Sequence, residues 1–240
     1  MNREAKYYRR KLPHYQTPYA NYFITFRLTE SLPFSIVKQL KDEYIASEAD
    51  ILKLSERRIQ KVKMYDLQKR YFKKYDDILD KNAFGPSWLI NEKIAQLIYD
   101  AIHAKDKKVY ELLAYCIMPN HVHIVFKLIE DNVEQTLVCC DNNSNKRTEV
   151  RSTVAYQNYA LAKLLREIKG STAREANKVL NRTGPFWQHE SYDHVVRNDK
   201  ELENIIRYVL NNPVKAGLVE KWEEWKWNYC SSEIISLIDL

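Results

Sequence analysis

Hydrophobic residues alternate with polar ones, or gather in short aromatic and β-branched runs, in four segments that predict β-strands. Residues 21–29 have the sequence NYFITFRLT and form the first of these segments. The others are residues 110–118, 121–128 and 192–197. Pro119-Asn120 separates the second segment from the third, so these two strands are predicted to form a hairpin.

Apolar residues three or four positions apart predict helices between those strands. Residues 34–82 contain neither Gly nor Pro, and they are predicted to be one long helix or a helical pair that Gly85-Pro86 ends. Another amphipathic helix is expected at 91–104. Two more are predicted: 157–181, with a break near Gly170-Ser171, and 199–210, with Asp199 as its N-cap.

The elements follow in the order strand, helix, two strands, helix, strand, helix. This is the βαββαβ order of a ferredoxin-like fold, so the predicted class is α+β, an antiparallel sheet with flanking helices. The chain adds a long helical insertion after the first strand and a C-terminal helix. We interpret residues 1–240 as one domain with a basic arm at 1–20, the helical insertion at 34–84 and a flexible excursion at 130–156.

Composition narrows the class of protein. Of the 240 residues, 45% are hydrophobic, so the chain can bury a core and global disorder is not expected. The net charge of +6 favours a polyanionic partner, although a basic protein without a nucleic-acid role has the same charge. No apolar stretch approaches the roughly 20 residues that cross a membrane. The cysteines form no C-x-x-C pair and no secretory leader is recognised, which predicts a cytoplasmic location.

His121 and His123 lie two residues apart in a predicted strand, so their side chains point to the same face of the sheet. Two neutral imidazoles at this spacing can hold one divalent ion. The triplet is short, however, and taken alone it more often marks two histidines that the protein itself satisfies.

Tyr208 lies near the end of the predicted helix at 199–210, just before Asn211-Asn212-Pro213. A tyrosine forms a covalent phosphoryl intermediate if its proton is removed and the phosphate is polarised, whereas an arbitrary tyrosine packs the core. Asn212 follows four residues later and shares the helix face of Tyr208 if the last turn persists. Its side-chain oxygen is a candidate metal ligand, or it makes a local turn.

Basic residues provide a candidate nucleic-acid surface. The arm interleaves Arg and Lys with tyrosines, an arrangement that suits unpaired nucleotides. Further basic residues recur at helical spacing and can follow a phosphate backbone, although an ordinary solvated face has the same pattern. The candidate DNA contacts are Arg9, Arg10, Lys11, Lys169, Arg174, Lys178 and Arg197.

Several blocks of the sequence together resemble the HUH single-tyrosine transposases, in particular the branch of REP-associated tyrosine transposases. The block MPNHVHIVF carries the histidine pair, and RYVLNNPVKAGLV carries the tyrosine. The blocks YFITFRLTESLP, GPSWLINEKIAQLIYDAI and GPFWQHESYDHVVRN occur in the family's order. Each block alone is a weak match, but jointly they are specific and extend over most of the chain.

The resemblance implies a metal-dependent endonuclease and strand transferase that acts on single-stranded or hairpin DNA. By position, His121 and His123 would hold Mg²⁺ or Mn²⁺, and Tyr208 would be the nucleophile that forms a 5′-phosphotyrosine. Asn212 would be the third metal ligand, with Gln188 and Glu190 as alternatives. The family also implies a monomer or a homodimer.

Two other functions stay open at this point. One is a non-catalytic protein, derived from a transposase, that only binds structured nucleic acid. The other is a metal phosphoesterase that uses water and forms no covalent intermediate. The phosphoesterase ranks last, because no cluster of Asp and Glu ligands is recognised near the histidines.

Overall fold

The computed structural model describes residues 20–81, 83–129 and 149–236, with side chains from residue 161 onward in the last range. Five strands form one sheet in the order β4-β1-β3-β2-β5, and every neighbouring pair is antiparallel. The predicted α+β class, an antiparallel sheet with flanking helices, is therefore confirmed. The strands are β1 (Asn21–Arg27), β2 (Tyr110–Ile117), β3 (His121–Leu128), β4 (Tyr192–Val195) and β5 (Asn228–Cys230).

Helices connect and cover these strands. Residues 34–84, predicted as a helical insertion, contain a pair of helices rather than one long helix. Within the described ranges, no helix is both long enough and apolar enough to cross a membrane. The helices are α1 (Phe34–Leu52), α2 (Arg57–Asp80), α3 (Glu92–His103), α4 (Glu149–Val179), α5 (Asp199–Leu210), α6 (Asn212–Lys215) and α7 (Ser232–Ile235).

The alternation of side chains along the strands divides the core into two layers. On one face, Ile24 and Val122 belong to the larger cluster, which includes the buried residues of α3 and α4. On the other face, Phe23 and Val125 pack with the apolar side of α5. Phe72 of α2 also contacts Phe23, with ring centroids 5.3 Å apart, so α2 lies on the α5 side of the sheet.

Strand β5 extends the sheet beyond the predicted four strands. It pairs with β2 from Ala114↔Cys230 to Cys116↔Asn228, and the rings of Tyr115 and Tyr229 stack at 5.4 Å. Three residues are too few for a recognisable alternation, so the sequence pattern misses this strand. Its position is decided by contacts with β2 rather than by local preference.

Helix α4 is continuous through Gly170-Ser171, so the predicted break there is wrong. The hydroxyl of Ser171 donates to the carbonyl of Glu167 at 2.8 Å, one turn back, which keeps this side chain within the helix. The helix begins at Glu149, inside the predicted excursion at 130–156; residues 130–148 lie outside the described residues. The interpretation of 1–240 as one domain stays a prediction.

The N-cap of α5 is Asn198 rather than the predicted Asp199. The side-chain oxygen of Asn198 accepts a hydrogen bond from the backbone N–H of Glu201 at 2.9 Å. Asp199 is the first residue of the helix, where its carboxylate faces the positive end of the helix dipole without capping it.

We expect Asn198→Ala to lower the free energy of unfolding by about 1 kcal/mol, because it leaves a helix N–H without its acceptor. Asp199→Ala, the control on the neighbouring residue, removes only a dipole interaction that salt screens, so its loss is expected to be smaller and to shrink in salt. Urea unfolding at low and high salt measures both. A larger, salt-insensitive loss for Asp199→Ala would contradict this assignment.

Candidate metal centre and tyrosine

The imidazoles of His121 and His123 lie side by side on β3 and are fully buried. Their Nε2 atoms are 3.0 Å apart. Val122, between them, points to the opposite face and belongs to the larger core cluster. The spacing on the strand therefore has the predicted effect of directing both rings to one side of the sheet.

The Nδ1 atoms of both rings are held by neighbours. The side-chain N–H of Asn120 donates to the carbonyl of Leu79 at 3.0 Å, so its Oδ1 is left to accept from Nδ1 of His121 at 2.6 Å. Nδ1 of His123 lies 2.7 Å from the hydroxyl of Thr25, to which it can donate. With protons on Nδ1, both Nε2 lone pairs point toward the same small space, as they do in histidines that bind metals.

Asn212 reaches the same space by a route that differs from the prediction. Helix α5 ends at Leu210 and the chain turns at Asn211, so Asn212 begins α6 instead of continuing the face of Tyr208. Its side-chain nitrogen nevertheless lies 2.9 Å from Nε2 of His123, and its buried Oδ1 has no partner in the described part of the chain. A half-turn of this amide would present Oδ1 as a ligand instead.

Tyr208 lies beside the histidine pair. Its ring centroid is 5.7 Å from that of His123 and 6.3 Å from that of Phe23. The hydroxyl is buried and has no hydrogen-bond partner among the described residues. Nζ of Lys215 lies 5.8 Å from the centroid of the same ring. The core tyrosine Tyr22 has an equally unpaired hydroxyl among the described residues, so the position beside the histidine pair, and not the unpaired hydroxyl, distinguishes Tyr208.

Two carboxylates that the sequence analysis missed complete the group. Oδ2 of Asp76 is 3.3 Å from Nε2 of His123, and Oδ1 of Asp80 is 3.7 Å from Nε2 of His121. One ligand atom from each of the four residues lies within 4.8 Å of the others. The premise that no acidic ligands accompany the histidines is therefore wrong. The available signal was the spacing of two aspartates one helical turn apart, inside a region interpreted as an insertion.

Burial sets the charge of this group. It lowers the pKa of His121 to about 3 and that of His123 to about 4, so both imidazoles are neutral near pH 7. Burial raises the pKa of Asp76 to about 7 and, together with the charge of Asp76, that of Asp80 to about 6. With neutral histidines, the close histidine–aspartate contacts are not ion pairs.

The unpaired buried atoms of the group are all acceptors that suit a cation. Both oxygens of Asp76, Oδ1 of Asp80 and Oδ1 of Asn212 are buried and accept no hydrogen bond from the described residues. Unsatisfied buried acceptors are rare in proteins, and a divalent ion would satisfy several at once. The residues present therefore fit a metal ion.

Helix α2 is fixed at both ends of the site, to the tyrosine helix α5 at one end and to the short helix α6 that follows it at the other. Near the start of α5, the buried carboxylate of Glu201 accepts hydrogen bonds from Tyr65 and from Nζ of Lys69, the latter at 2.7 Å. Burial alone would raise the pKa of Glu201, but these bonds and one from His194 outweigh it and hold the pKa well below its usual range. Near the end of α2, Lys215 contacts Asp77 and Asp80.

The predicted DNA contacts lie in different places. Lys169 donates to the carbonyl of Gln188 at 2.6 Å and that of His189 at 3.0 Å, so it fixes the segment before β4. The guanidinium of Arg197 lies over the ring of Tyr65 at 3.6 Å. Arg174 is exposed, and Lys178 is exposed and paired with Glu175. Arg9, Arg10 and Lys11 lie outside the described residues.

The alternative third ligands, Gln188 and Glu190, precede β4. Glu190 is exposed and does not belong to the group of His121, His123 and the two aspartates. The backbone N–H of Gln188 donates to the carbonyl of Arg27 at 2.8 Å. Of the three candidates, Asn212 is the one that contacts a histidine of the pair.

The fold and the site define an α+β protein with a buried tyrosine beside a histidine–aspartate group. Two relatives are REP-associated tyrosine transposases by name. The one from Haemophilus influenzae is 29% identical over 119 residues, which are 50% of this chain and 58% of the relative. The one from Escherichia coli is 22% identical over 142 residues, 59% of this chain and 67% of the relative. The predicted resemblance to this family is confirmed.

These similarities are partial. The match spans little more than half the length of the Haemophilus influenzae relative. A solved REP-associated tyrosine transposase bound to a REP hairpin is 17% identical; the alignment covers 90% of this chain and 82% of that one, with a TM-score of 0.43. No family model matches the chain.

We expect Glu201→Gln to lower the free energy of unfolding by about 2 kcal/mol at pH 7, because the charged acceptor of several hydrogen bonds is lost. The pKa of Glu201 is lower in the folded than in the unfolded chain. The wild-type advantage is therefore fully present above about pH 4.3 and is lost as the pH falls toward the folded-state pKa. Urea unfolding at pH 7 and pH 3 measures the difference.

The matched control is Glu203→Gln, which removes a carboxylate two positions along the same helix. Among the described residues, Glu203 pairs with Lys200 and Arg207 on its own helix, so little change is expected. A loss for Glu201→Gln that is equal at pH 7 and pH 3 would show that the charge of Glu201 does not hold the two helices together.

Proposed function

We propose that the protein is a transposase-like, metal-dependent endonuclease and strand transferase that acts on single-stranded DNA at hairpin-flanked sites. The observation that carries the proposal is the position of Tyr208, whose ring lies 5.7 Å from that of His123 and whose buried hydroxyl has no hydrogen-bond partner among the described residues. The names of the two sequence relatives support the same reaction class. The hairpin is taken from the solved relative's ligand and is part of the proposal.

In this proposal Tyr208 is the nucleophile. Its oxygen forms a bond to the phosphorus of the scissile phosphate and loses its proton, and the bond from phosphorus to the 3′ oxygen breaks. The products are a 5′-phosphotyrosine and a free 3′ hydroxyl, whose oxygen takes up one proton for the one that the phenol gives up. Because the phosphodiester energy is conserved in this linkage, attack by another 3′ hydroxyl reverses the step and joins a new strand.

His121, His123 and Asn212 would hold a Mg²⁺ or Mn²⁺ ion beside the tyrosine. When bound, such an ion stabilises negative charge on the phosphate oxygens. Thr25 and Asn120 orient the two imidazoles through their Nδ1 atoms. Since the histidines and the tyrosine hydroxyl are buried, a phosphate reaches them only if a covering element moves aside.

A metal phosphoesterase that uses water is the second candidate, because Asp76 and Asp80 now accompany the histidines. A carboxylate-rich metal site can activate water for attack on a phosphodiester. Such an enzyme would release both DNA ends and would leave no covalent adduct. The non-catalytic alternative predicts salt-sensitive DNA binding without cleavage.

We expect Tyr208→Phe to abolish the covalent protein–DNA adduct, because the substitution removes the attacking oxygen while keeping the ring. The assay incubates hairpin-bearing oligonucleotides with Mn²⁺ and resolves the adduct on a denaturing gel. Tyr229→Phe, on β5, is the matched control and should form the adduct as the wild type does. An adduct with Tyr208→Phe would exclude Tyr208 as the nucleophile.

Removing divalent metal with EDTA should abolish the adduct, and restoring Mn²⁺ should recover it, because uncompensated phosphate charge opposes attack. Binding to the hairpin should persist in EDTA, since contacts to the DNA backbone come from basic side chains. A gel-shift assay beside the adduct assay separates the two effects. Cleavage without an adduct would instead support the water-dependent phosphoesterase. Binding without cleavage at any Mn²⁺ concentration would support the non-catalytic alternative.

A further inference from the structure

Helix α2 belongs to the two helices that follow β1, a region predicted as an insertion. It nevertheless places two buried carboxylates against the imidazoles of His121 and His123. Asp76 is fully buried and accepts no hydrogen bond from the described residues on either oxygen. Asp80 is buried; its Oδ2 accepts from Nζ of Lys215 at 2.8 Å, and its Oδ1 has no hydrogen-bond partner in the part of the chain that the structure describes. Burying a carboxylate without a partner opposes folding, so a purely structural role leaves Asp76 unexplained.

The spacing of the atoms fits ligands of one ion. Octahedral Mg²⁺ has bonds of about 2.1 Å, and those of Mn²⁺ are slightly longer, so adjacent ligand atoms lie about 3 Å apart and opposite ones about 4 Å apart. The two Nε2 atoms are 3.0 Å apart, and the histidine–aspartate distances are 3.3 and 3.7 Å. The four ligand atoms all lie within 4.8 Å of one another, somewhat wider than the opposite-ligand distance, so binding an ion would draw the group closer together.

We propose that Asp76 and Asp80 are ligands of the metal ion held by His121 and His123, so that α2 is part of the active site. The inference rests on the metal site of the proposed function. It adds two anionic ligands to the imidazoles and Asn212, and an octahedral ion would then keep one position for a phosphate oxygen. A set with two carboxylates balances the charge of a divalent ion and favours Mn²⁺ or Mg²⁺ over softer metals.

The neighbours of the two aspartates differ, so the two residues have different roles as proposed ligands. Lys215 holds Oδ2 of Asp80, which leaves Oδ1 toward His121 as a single ligand atom. Asp76 has both oxygens available and lies nearest His123. The end of α2 is also tied to the site through Asn120, which joins the carbonyl of Leu79 to His121. An ion bound by the aspartates would therefore hold α2 against β3.

The test measures Mn²⁺ binding to the full chain without DNA, by isothermal titration calorimetry. Asp76→Asn and Asp80→Asn are each expected to weaken Mn²⁺ binding at least tenfold. The matched control is Asp77→Asn, which lies between them and contacts Lys215 but does not belong to the histidine group; its affinity should stay within twofold of wild type. Either aspartate variant binding Mn²⁺ as tightly as wild type overturns the role of that residue.

A second measurement separates ligands from structural residues. Without metal, Asp76→Asn should unfold at a temperature equal to or above that of wild type, because an unpaired buried carboxylate is removed. The increase in unfolding temperature that Mn²⁺ gives to wild type should be reduced in this variant. A lower unfolding temperature without metal, together with an undiminished Mn²⁺ effect, would make Asp76 structural.

The outcomes also distinguish this inference from the proposed function. If wild type binds no Mn²⁺, the metal-dependent function and this inference both fail. If wild type and the two aspartate variants bind Mn²⁺ equally, while His121→Ala does not bind it, the inference that α2 supplies metal ligands is wrong and the proposed metal site at the histidines stands.

Discussion

The site depends on acceptor atoms that meet in a space from which water is excluded. Two neutral imidazoles and two carboxylates face one another there beside the amide of Asn212, and several of their acceptor atoms have no donor in the described part of the chain. Such an arrangement is unfavourable by itself, because buried polar atoms lose their hydration without regaining it. A divalent ion is the simplest group that offsets this cost for all of them together.

The sheet order explains why this meeting point is buried. Strand β3 lies between β1 and β2, so residues on it are covered by neighbours on both sides. Helices α2 and α5 then cover the same face. Glu201 of α5 holds them together near one end, and Lys215 of α6 contacts the end of α2 near the other. The tyrosine helix and the carboxylate helix are thus positioned by one set of contacts. A change in the position of α2 would affect the ligands and the access to Tyr208 at the same time.

Much of the fold and half of the site follow from local patterns. Alternation placed four strands, helical spacing placed α3 and α5, and the H-x-H triplet directed both imidazoles to one face. The failures have physical reasons. Strand β5 is too short to show alternation. Asn198 accepts the capping hydrogen bond that was predicted for Asp199, and α4 continues through Gly170-Ser171 without a break. These outcomes depend on competition between neighbouring residues or on distant partners.

The sequence by itself determined which side chains share a face, because side-chain direction follows from the repeat of a strand or helix. It also supplied the resemblance that connects His121, His123 and Tyr208. Only the tertiary structure decided that Asp76 and Asp80, some forty residues earlier in the chain, lie against that pair. The packing of α2 on the sheet sets this distance. No local repeat encodes contact between residues so far apart, so the carboxylate half of the site became visible only in the folded chain.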